Sequence, residues 1–210
     1  MENEIWYQFI IIRDFKKYPV IASILHDFEG EHLAGYVYID PIKGTNLDII
    51  NLFSGNENDA NTNKNLVEEK IRAILPFEHF SETNFEIADQ QIIQNLNLTI
   101  PDYIESYKRE NLKPFREEKA YDKFRVAGFP YDIQVLLINN RNTPELIWAR
   151  VENYDSENKI GISRLIVQPH QNFNLNIDDK LMFKLMEINK SLYPVGIIDN
   201  KPAKKWWKFW

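Results

Sequence analysis

The strongest constraint on the fold lies in residues 131–198, where β-prone runs follow one another with short polar breaks. Four runs are rich in branched and aromatic residues, and turn formers bound each of them. They are Tyr131–Leu137, Pro144–Val151, Lys159–Val167 and Asp179–Met186. Four such runs in fewer than seventy residues predict a small, mostly antiparallel β-barrel.

The second of these runs is apolar on both sides of the predicted strand. Because side chains alternate along a strand, Ile147, Ala149 and Val151 share one face, whereas Leu146 and Trp148 share the other. A strand with two apolar faces needs cover on both. We therefore expect the earlier half of the chain or the C-terminal tail to pack over Trp148.

The first half of the chain mixes predicted strands and helices. Branched and aromatic residues predict strands at Ile5–Ile12, Leu33–Ile39 and Phe85–Ile87, and Leu47–Phe53 is a further apolar run. The period of Val20–Leu25 fits either a strand or a short helix. Helical spacing and capping residues predict helices from Leu66 to Leu75, from Asp89, from Thr99, and within Phe115–Arg125.

These patterns together predict an α+β fold, with an N-terminal α+β half followed by a small, mostly antiparallel, barrel-like half. We divide the chain into an α+β domain (1–110), a helical connection (111–128), a β-rich domain (129–200) and a tail of lysine and tryptophan (201–210). The polar stretch Ser54–Asn65 predicts a surface loop within the first domain.

Composition excludes several classes of function. The chain of 210 residues has no cysteine, so disulfides, thiolate catalysis and cysteine-ligated metals are excluded. Its net charge of −6 argues against nucleic-acid binding, which depends on basic residues that neutralise phosphates. The acidic start Met1–Glu4 and the shortness of the apolar runs predict a cytoplasmic protein without a signal peptide or membrane span.

No motif in the sequence identifies a catalytic, cofactor or metal site. The nucleophile elbow, the P-loop and the dinucleotide fingerprint are all absent from the sequence. Residues 26–32 hold two histidines and three carboxylates, but their spacing matches no common metal motif, so we expect no metal and no cofactor. Since active sites assemble in space, an enzyme that uses His170 or His26 with nearby carboxylates stays an alternative.

The tail at residues 201–210 concentrates aromatic and basic residues. It contains Trp206, Trp207 and Trp210 together with four lysines. These aromatics could fold onto the body of the protein, dock into a protein partner, or rest on a membrane surface. We rank the membrane last because ten residues are short for stable anchoring. With His170, which follows Pro169 in a loop between predicted strands, the three tryptophans are our candidate partner-binding residues.

Four segments of the second half carry a resemblance to a known family. They are Gly128–Leu137, Pro144–Val151, Lys159–Ser163 with Pro169 after it, and Leu175–Phe183. Their order resembles the DUF2314-type bacterial domains and the similar DUF2185-type domains, which are classed with immunity proteins of polymorphic toxin systems. The chain departs from the family at Asp178, where a glycine is usual, and at Gln168–His170, which replaces an asparagine-containing loop.

This resemblance, which covers about a third of the chain, implies a non-enzymatic binding protein. Such an immunity or inhibitor-type factor works by occluding a protein partner such as a cognate toxin, and an acidic protein suits a basic partner. The alternatives are a structural or regulatory module that uses the Lys/Trp tail, and a hydrolase-type enzyme. The sequence leaves the partner, the binding surface and the oligomeric state open.

Overall fold

The computed structural model describes residues 5–55, 64–66, 71–139 and 141–198. The protein has an α+β fold made of two compact units. The first, which we call the sheet unit, comprises Met1–Glu110 and Ala127–Pro130. The second, which we call the barrel unit, comprises Asn111–Val126 and Tyr131–Trp210. Residues 111–126 thus belong to the barrel unit.

The sheet unit is built on a six-stranded antiparallel sheet. Its spatial order is β4-β3-β2-β1-β6, with β5 also paired to β3. The strands are β1 (Phe9–Ile12), β2 (His32–Asp40), β3 (Gly44–Phe53), β4 (Lys64–Asn65), β5 (Ala73–Pro76) and β6 (Phe85–Ile87). The predicted strands at 33–39 and 85–87 are therefore confirmed, and the apolar run 47–53 lies in β3.

Short helices cover this sheet. They are α1 (Pro19–Ile24), α2 (Phe77–Phe80), α3 (Gln90–Asn95) and the 3₁₀ helices Phe15–Lys17 and Asp102–Tyr107. Asp89 caps α3 as its position predicts, because its carboxylate accepts a hydrogen bond of 2.8 Å from the Ile92 amide. On one face, Leu96, Leu98 and Ile104 pack on a core that includes Tyr36 and Phe53.

Four predictions for the first half are corrected. The loop expected at Ser54–Asn65 is wrong at its end, because Lys64–Asn65 forms β4 and pairs with β3; residues 56–63 lie outside the described chain. The helix expected from Leu66 to Leu75 is wrong at its end, because Ala73–Pro76 forms β5 and pairs with β3; residues 67–70 lie outside the described chain. The first strand begins only at Phe9, since Tyr7 has a positive φ of 62° that breaks the extended backbone. The helix expected from Thr99 is a pair of 3₁₀ segments, Asp102–Tyr107 and Glu110–Leu112.

The barrel unit contains a closed five-stranded barrel. Its strands are β8 (Phe129–Leu137), β9 (Glu145–Asp155), β10 (Ile160–Leu165), β11 (Lys180–Ile188) and β12 (Ser191–Ile197), with the short β7 (Arg125–Val126) next to β8. Neighbouring strands are antiparallel except where β12 closes on β8 in parallel, at Val195 and Leu136. The four predicted strands are confirmed, and β12 is a fifth. The sequence did not predict β12, because Pro194 lies within it and proline weakens a strand prediction.

A helical segment packs against the barrel interior. It consists of α4 (Lys113–Glu117) and the 3₁₀ helix Lys119–Phe124. The buried rings of Phe115 and Tyr121 lie 6.3 and 5.9 Å from that of Phe183 on β11. The segment is thus part of the barrel core and more deeply buried than the sequence indicated.

The outer face of the barrel keeps apolar side chains. Ile147, Ala149 and Val151 point into the core, as predicted, and Leu146 and Trp148 lie on the opposite face. Leu146 is 46% exposed and Trp148 is half-buried. Among the described residues, no helix is both long and apolar enough to cross a membrane.

Candidate functional site

A buried carboxylate lies in the middle of the sheet unit. Asp48 on β3 is only 3% exposed, and the Tyr103 hydroxyl donates a hydrogen bond to its carboxylate. Burial raises the pKa of Asp48 above its ordinary value, although Tyr103 and the positive charge of Arg72 act in the opposite direction. A carboxyl group with a shifted pKa is a candidate for acid-base chemistry.

Arg72 lies near this carboxylate, among three tyrosines. Its guanidinium carbon is 3.8 Å from the centroid of the Tyr103 ring, a cation–π contact. Desolvation opposes the charge of Arg72, but the phenol groups of Tyr103, Tyr38 and Tyr107 outweigh it and raise its pKa. We call these five residues the Asp48 cluster.

The geometry of the Asp48 cluster favours a structural role over catalysis. A general base must reach the proton that it removes, yet Asp48 is buried and already bonded to Tyr103. The rings of Tyr38 and Tyr107 also stack at 5.6 Å, which leaves little space between them. The cluster therefore holds the 3₁₀ helix Asp102–Tyr107 and the start of β5 on the sheet.

Sequence analysis missed the Asp48 cluster because its members belong to separate predicted elements. Asp48 interrupts an otherwise apolar strand, Arg72 lies in a segment predicted to be helical, and the tyrosines lie on two further elements. The one local signal was an aspartate flanked by Leu47 and Ile49, since an unpaired charge is costly inside a sheet.

Of the four candidate partner-binding residues, His170 lies in the described part of the chain, in the loop between β10 and β11. Its side chain is exposed, and its backbone amide donates a hydrogen bond of 2.8 Å to Glu145. The same carboxylate accepts the Gln171 amide, and the Gln171 side chain bonds to both backbone groups of Thr143. These bonds fix the loop at an open depression of about 530 Å³, which is lined by residues 168–172 and 174–176.

The open depression belongs to the barrel unit, and the buried carboxylate of Asp48 belongs to the sheet unit. His26 and His32 make contacts with different residues. The His26 ring is exposed and contacts Asp27, whereas the His32 ring accepts a hydrogen bond of 2.9 Å from the Asp14 amide. No group of three or more metal-ligating side chains occurs in the described part of the chain. Trp206, Trp207 and Trp210 lie outside the described residues.

Charge is distributed very unevenly between the two units. The sheet unit has nineteen acidic and nine basic residues, a net charge of −10, whereas the barrel unit has twelve acidic and sixteen basic residues, a net charge of +4. The described acidic residues that the sheet unit exposes are Asp27, Glu29, Glu31, Glu78, Glu82, Glu86, Asp89, Asp102, Glu105 and Glu110. A unit with this excess attracts a basic partner over several ångströms at low salt.

Comparisons with protein-family models, with curated proteins and with solved structures give no match for this chain. The resemblance to DUF2314-type domains therefore stays a prediction, and the functional argument depends on the geometry and charge described above.

Proposed function

We propose that this protein is a non-enzymatic binding protein, an immunity or inhibitor-type factor that occludes a basic protein partner, such as a cognate toxin. The supporting observation is the net charge of −10 on the sheet unit, with ten exposed carboxylates among its described residues. An occluding protein needs only a complementary surface, and such charge speeds association with a basic partner.

The buried position of Asp48 supports a role without chemistry. The carboxyl group whose pKa is raised is bonded to Tyr103 and is almost fully buried inside the sheet unit. The open depression near His170 has polar walls and suits contact with a partner's surface.

The proposal is tested with the proteins encoded beside the gene, among which a toxin is the expected binding partner. The double variant Glu29→Lys/Glu31→Lys reverses two exposed charges on the sheet unit. We expect its association rate constant at low salt to fall at least about tenfold, because electrostatic steering raises on-rates by roughly 10 to 10³. Stopped-flow fluorescence measures the rate, and circular dichroism checks that the fold is kept.

A matched control separates local charge from net charge. Glu157→Lys/Glu187→Lys makes the same change in net charge at exposed positions of the barrel unit. We expect a much smaller effect on the association rate. Equal effects of the two double variants, or no binding and no protection against the neighbouring toxin, would refute the proposed function.

A further inference from the structure

A long loop joins β10 to β11 in the barrel unit. It comprises residues 166–179 and contains no helix or strand. Loops of more than about 12 residues without secondary structure are uncommon inside a compact domain, and they are usually either functional or disordered. The open depression of about 530 Å³ lies in this loop, and its volume falls within the roughly 300–1,000 Å³ that is typical of ligand sites.

Hydrogen bonds and one buried ring hold this loop in a single conformation. The Gln168 side chain donates a hydrogen bond of 3.2 Å to the Leu175 carbonyl and accepts one of 3.0 Å from the Ile177 amide. Phe173, which is 1% exposed, anchors the middle of the loop in the core of the unit. Bonds from the loop to Thr143 add to these contacts. A loop that is already ordered loses little conformational entropy when a ligand binds.

Three asparagines face outward from the loop, and we call them the asparagine row. Asn172, Asn174 and Asn176 are exposed, whereas the residues between them, Phe173 and Leu175, are buried and half-buried. Among the described residues, none forms a hydrogen bond with the side chain of Asn174 or Asn176. The alternation of burial therefore places three side-chain amides on one side of the loop, where a ligand can reach them.

The lining of the depression indicates an uncharged ligand. Residues 168–172 and 174–176 line it, and none of them carries a carboxylate, an ammonium or a guanidinium group. Hydrogen-bond geometry, and not charge, therefore selects what binds there. A side-chain amide presents an N–H donor beside a C=O acceptor, as a peptide backbone does. Both glutamines of this loop already pair with backbone in this way, at residue 143 and at residues 175–177.

We propose that the asparagine row binds the backbone of an extended, uncharged segment of a protein partner. In an extended chain, the backbone groups that point to one side recur at every second residue, which is also the spacing of the asparagines. A saccharide fits less well, because the lining has no phenyl, phenol or indole ring against which a sugar could stack. This inference rests on the proposed function for the existence of a protein partner, and it adds the contact that the barrel unit makes with that partner.

The test is an NMR titration of the full chain with an acetylated and amidated pentapeptide of alternating threonine and valine. These residues favour an extended backbone, and the blocked ends leave the peptide without charge. We expect the peptide to shift the side-chain amide signals of the asparagine row. The dissociation constant should be the same at low and at high salt, because no charged group of the depression takes part.

Asn174→Gly and Asn189→Gly form a matched pair of variants. Asn174 has a φ of 57°, which glycine adopts readily, so the first variant removes one amide of the row without straining the backbone. A hydrogen bond changes an affinity about two- to tenfold, and we expect this variant to bind the peptide about fivefold more weakly. Asn189 is also exposed, has a φ of 51° and lies in the turn between β11 and β12. Its replacement should leave peptide binding unchanged.

Three results would overturn the proposal. The first is the absence of shifts in the asparagine row, or an equal loss of peptide binding in the two glycine variants. The second is a dissociation constant that rises strongly with salt, since charge would then drive the binding. The third is binding of maltotriose that is weakened by Asn174→Gly, which would assign the row to a saccharide.

The outcomes for this inference and for the proposed function can be told apart. If no neighbouring protein binds the chain, the proposed function fails, and the peptide titration alone decides this inference. If one does bind, Asn174→Gly should raise its dissociation rate about fivefold and leave the association rate unchanged, because lost contacts act mainly on dissociation. An unchanged dissociation rate would overturn the inference and leave the proposed function standing.

Discussion

Replacement of Gly161 by alanine tests how the barrel is packed. Gly161 on β10 lies opposite Phe183 on β11, and a Cβ atom added at Gly161 would lie 2.1 and 2.3 Å from the Cζ and Cε1 atoms of the Phe183 ring. Ordinary carbon contacts are about 3.5–4.0 Å, so the ring would have to move by more than about 1 Å. A glycine beneath an aromatic ring is a known way to fit such a ring into a curved sheet.

The surroundings of Phe183 leave this movement no space. Phe183 is fully buried, and the rings of Phe115 and Tyr121 contact it. Overpacking a tight core costs about 1–3 kcal/mol. We expect the cost of Gly161→Ala to lie at the upper end of this range, so that the free energy of unfolding of the barrel unit falls by about 3 kcal/mol.

The matched control is Gly196→Ala, on the other side of Phe183. Its added Cβ would meet methyl carbons of Leu181 and Leu137 at 2.8 and 3.1 Å, and these ends of flexible side chains can rotate away. We expect a cost of about 1 kcal/mol or less.

Hydrogen exchange of the β10 and β11 amides in increasing urea measures the stability of the barrel unit separately from that of the sheet unit. Phe183→Leu should relieve the clash, so the double variant Gly161→Ala/Phe183→Leu should lose less stability than the sum of the single changes, by about 1–2 kcal/mol. Additive effects, or equal costs for the alanines at Gly161 and Gly196, would show that the ring does not pack against Gly161.

Three further predictions concern charged groups. Folding raises the pKa of Asp48, so the contribution of this group to stability is full below its ordinary pKa of 3.8 and is lost as the pH rises through the folded pKa. Asp48→Asn should therefore raise the melting temperature at neutral pH. This gain in melting temperature should disappear as the pH falls towards 3.8. Asp132→Ala leaves the partly buried Arg150 without a carboxylate that it binds through two nitrogens at 2.6 and 2.7 Å, and should cost about 2 kcal/mol in urea unfolding. Glu145→Gln weakens an acceptor of the loop at His170, so amides 170–171 should exchange faster while those of β9 stay protected.

The sequence predicted the elements that depend on local patterns. The alternation of Ile147, Ala149 and Val151 assigned both the strand and its buried face, because side chains of a strand alternate whatever lies beside it. Asp89 likewise marked the start of α3, since capping needs only the next three residues. The α+β fold with a small barrel followed from such local evidence.

Long-range pairing decided what the sequence could not. The segment Ala73–Pro76 follows a helical spacing, yet it pairs with β3. Pairing with a strand that is distant in the chain outweighs the weak local preference of these residues for a helix. Only the closure of β12 on β8 brought Val195 opposite Leu136, a residue far away in the chain.

The Asp48 cluster shows that long-range contacts also decided the candidate site. Side chains from β2, β3 and a 3₁₀ helix meet there with Arg72, the residue before β5, and no spacing along the chain predicts these contacts. The sequence by itself determined the strands with a strong local pattern, such as β2, β9 and β11, and the apolar face of β9, because both are local properties. The tertiary structure alone decided which apolar faces are covered and which charges meet, because both depend on contacts between residues far apart in the chain.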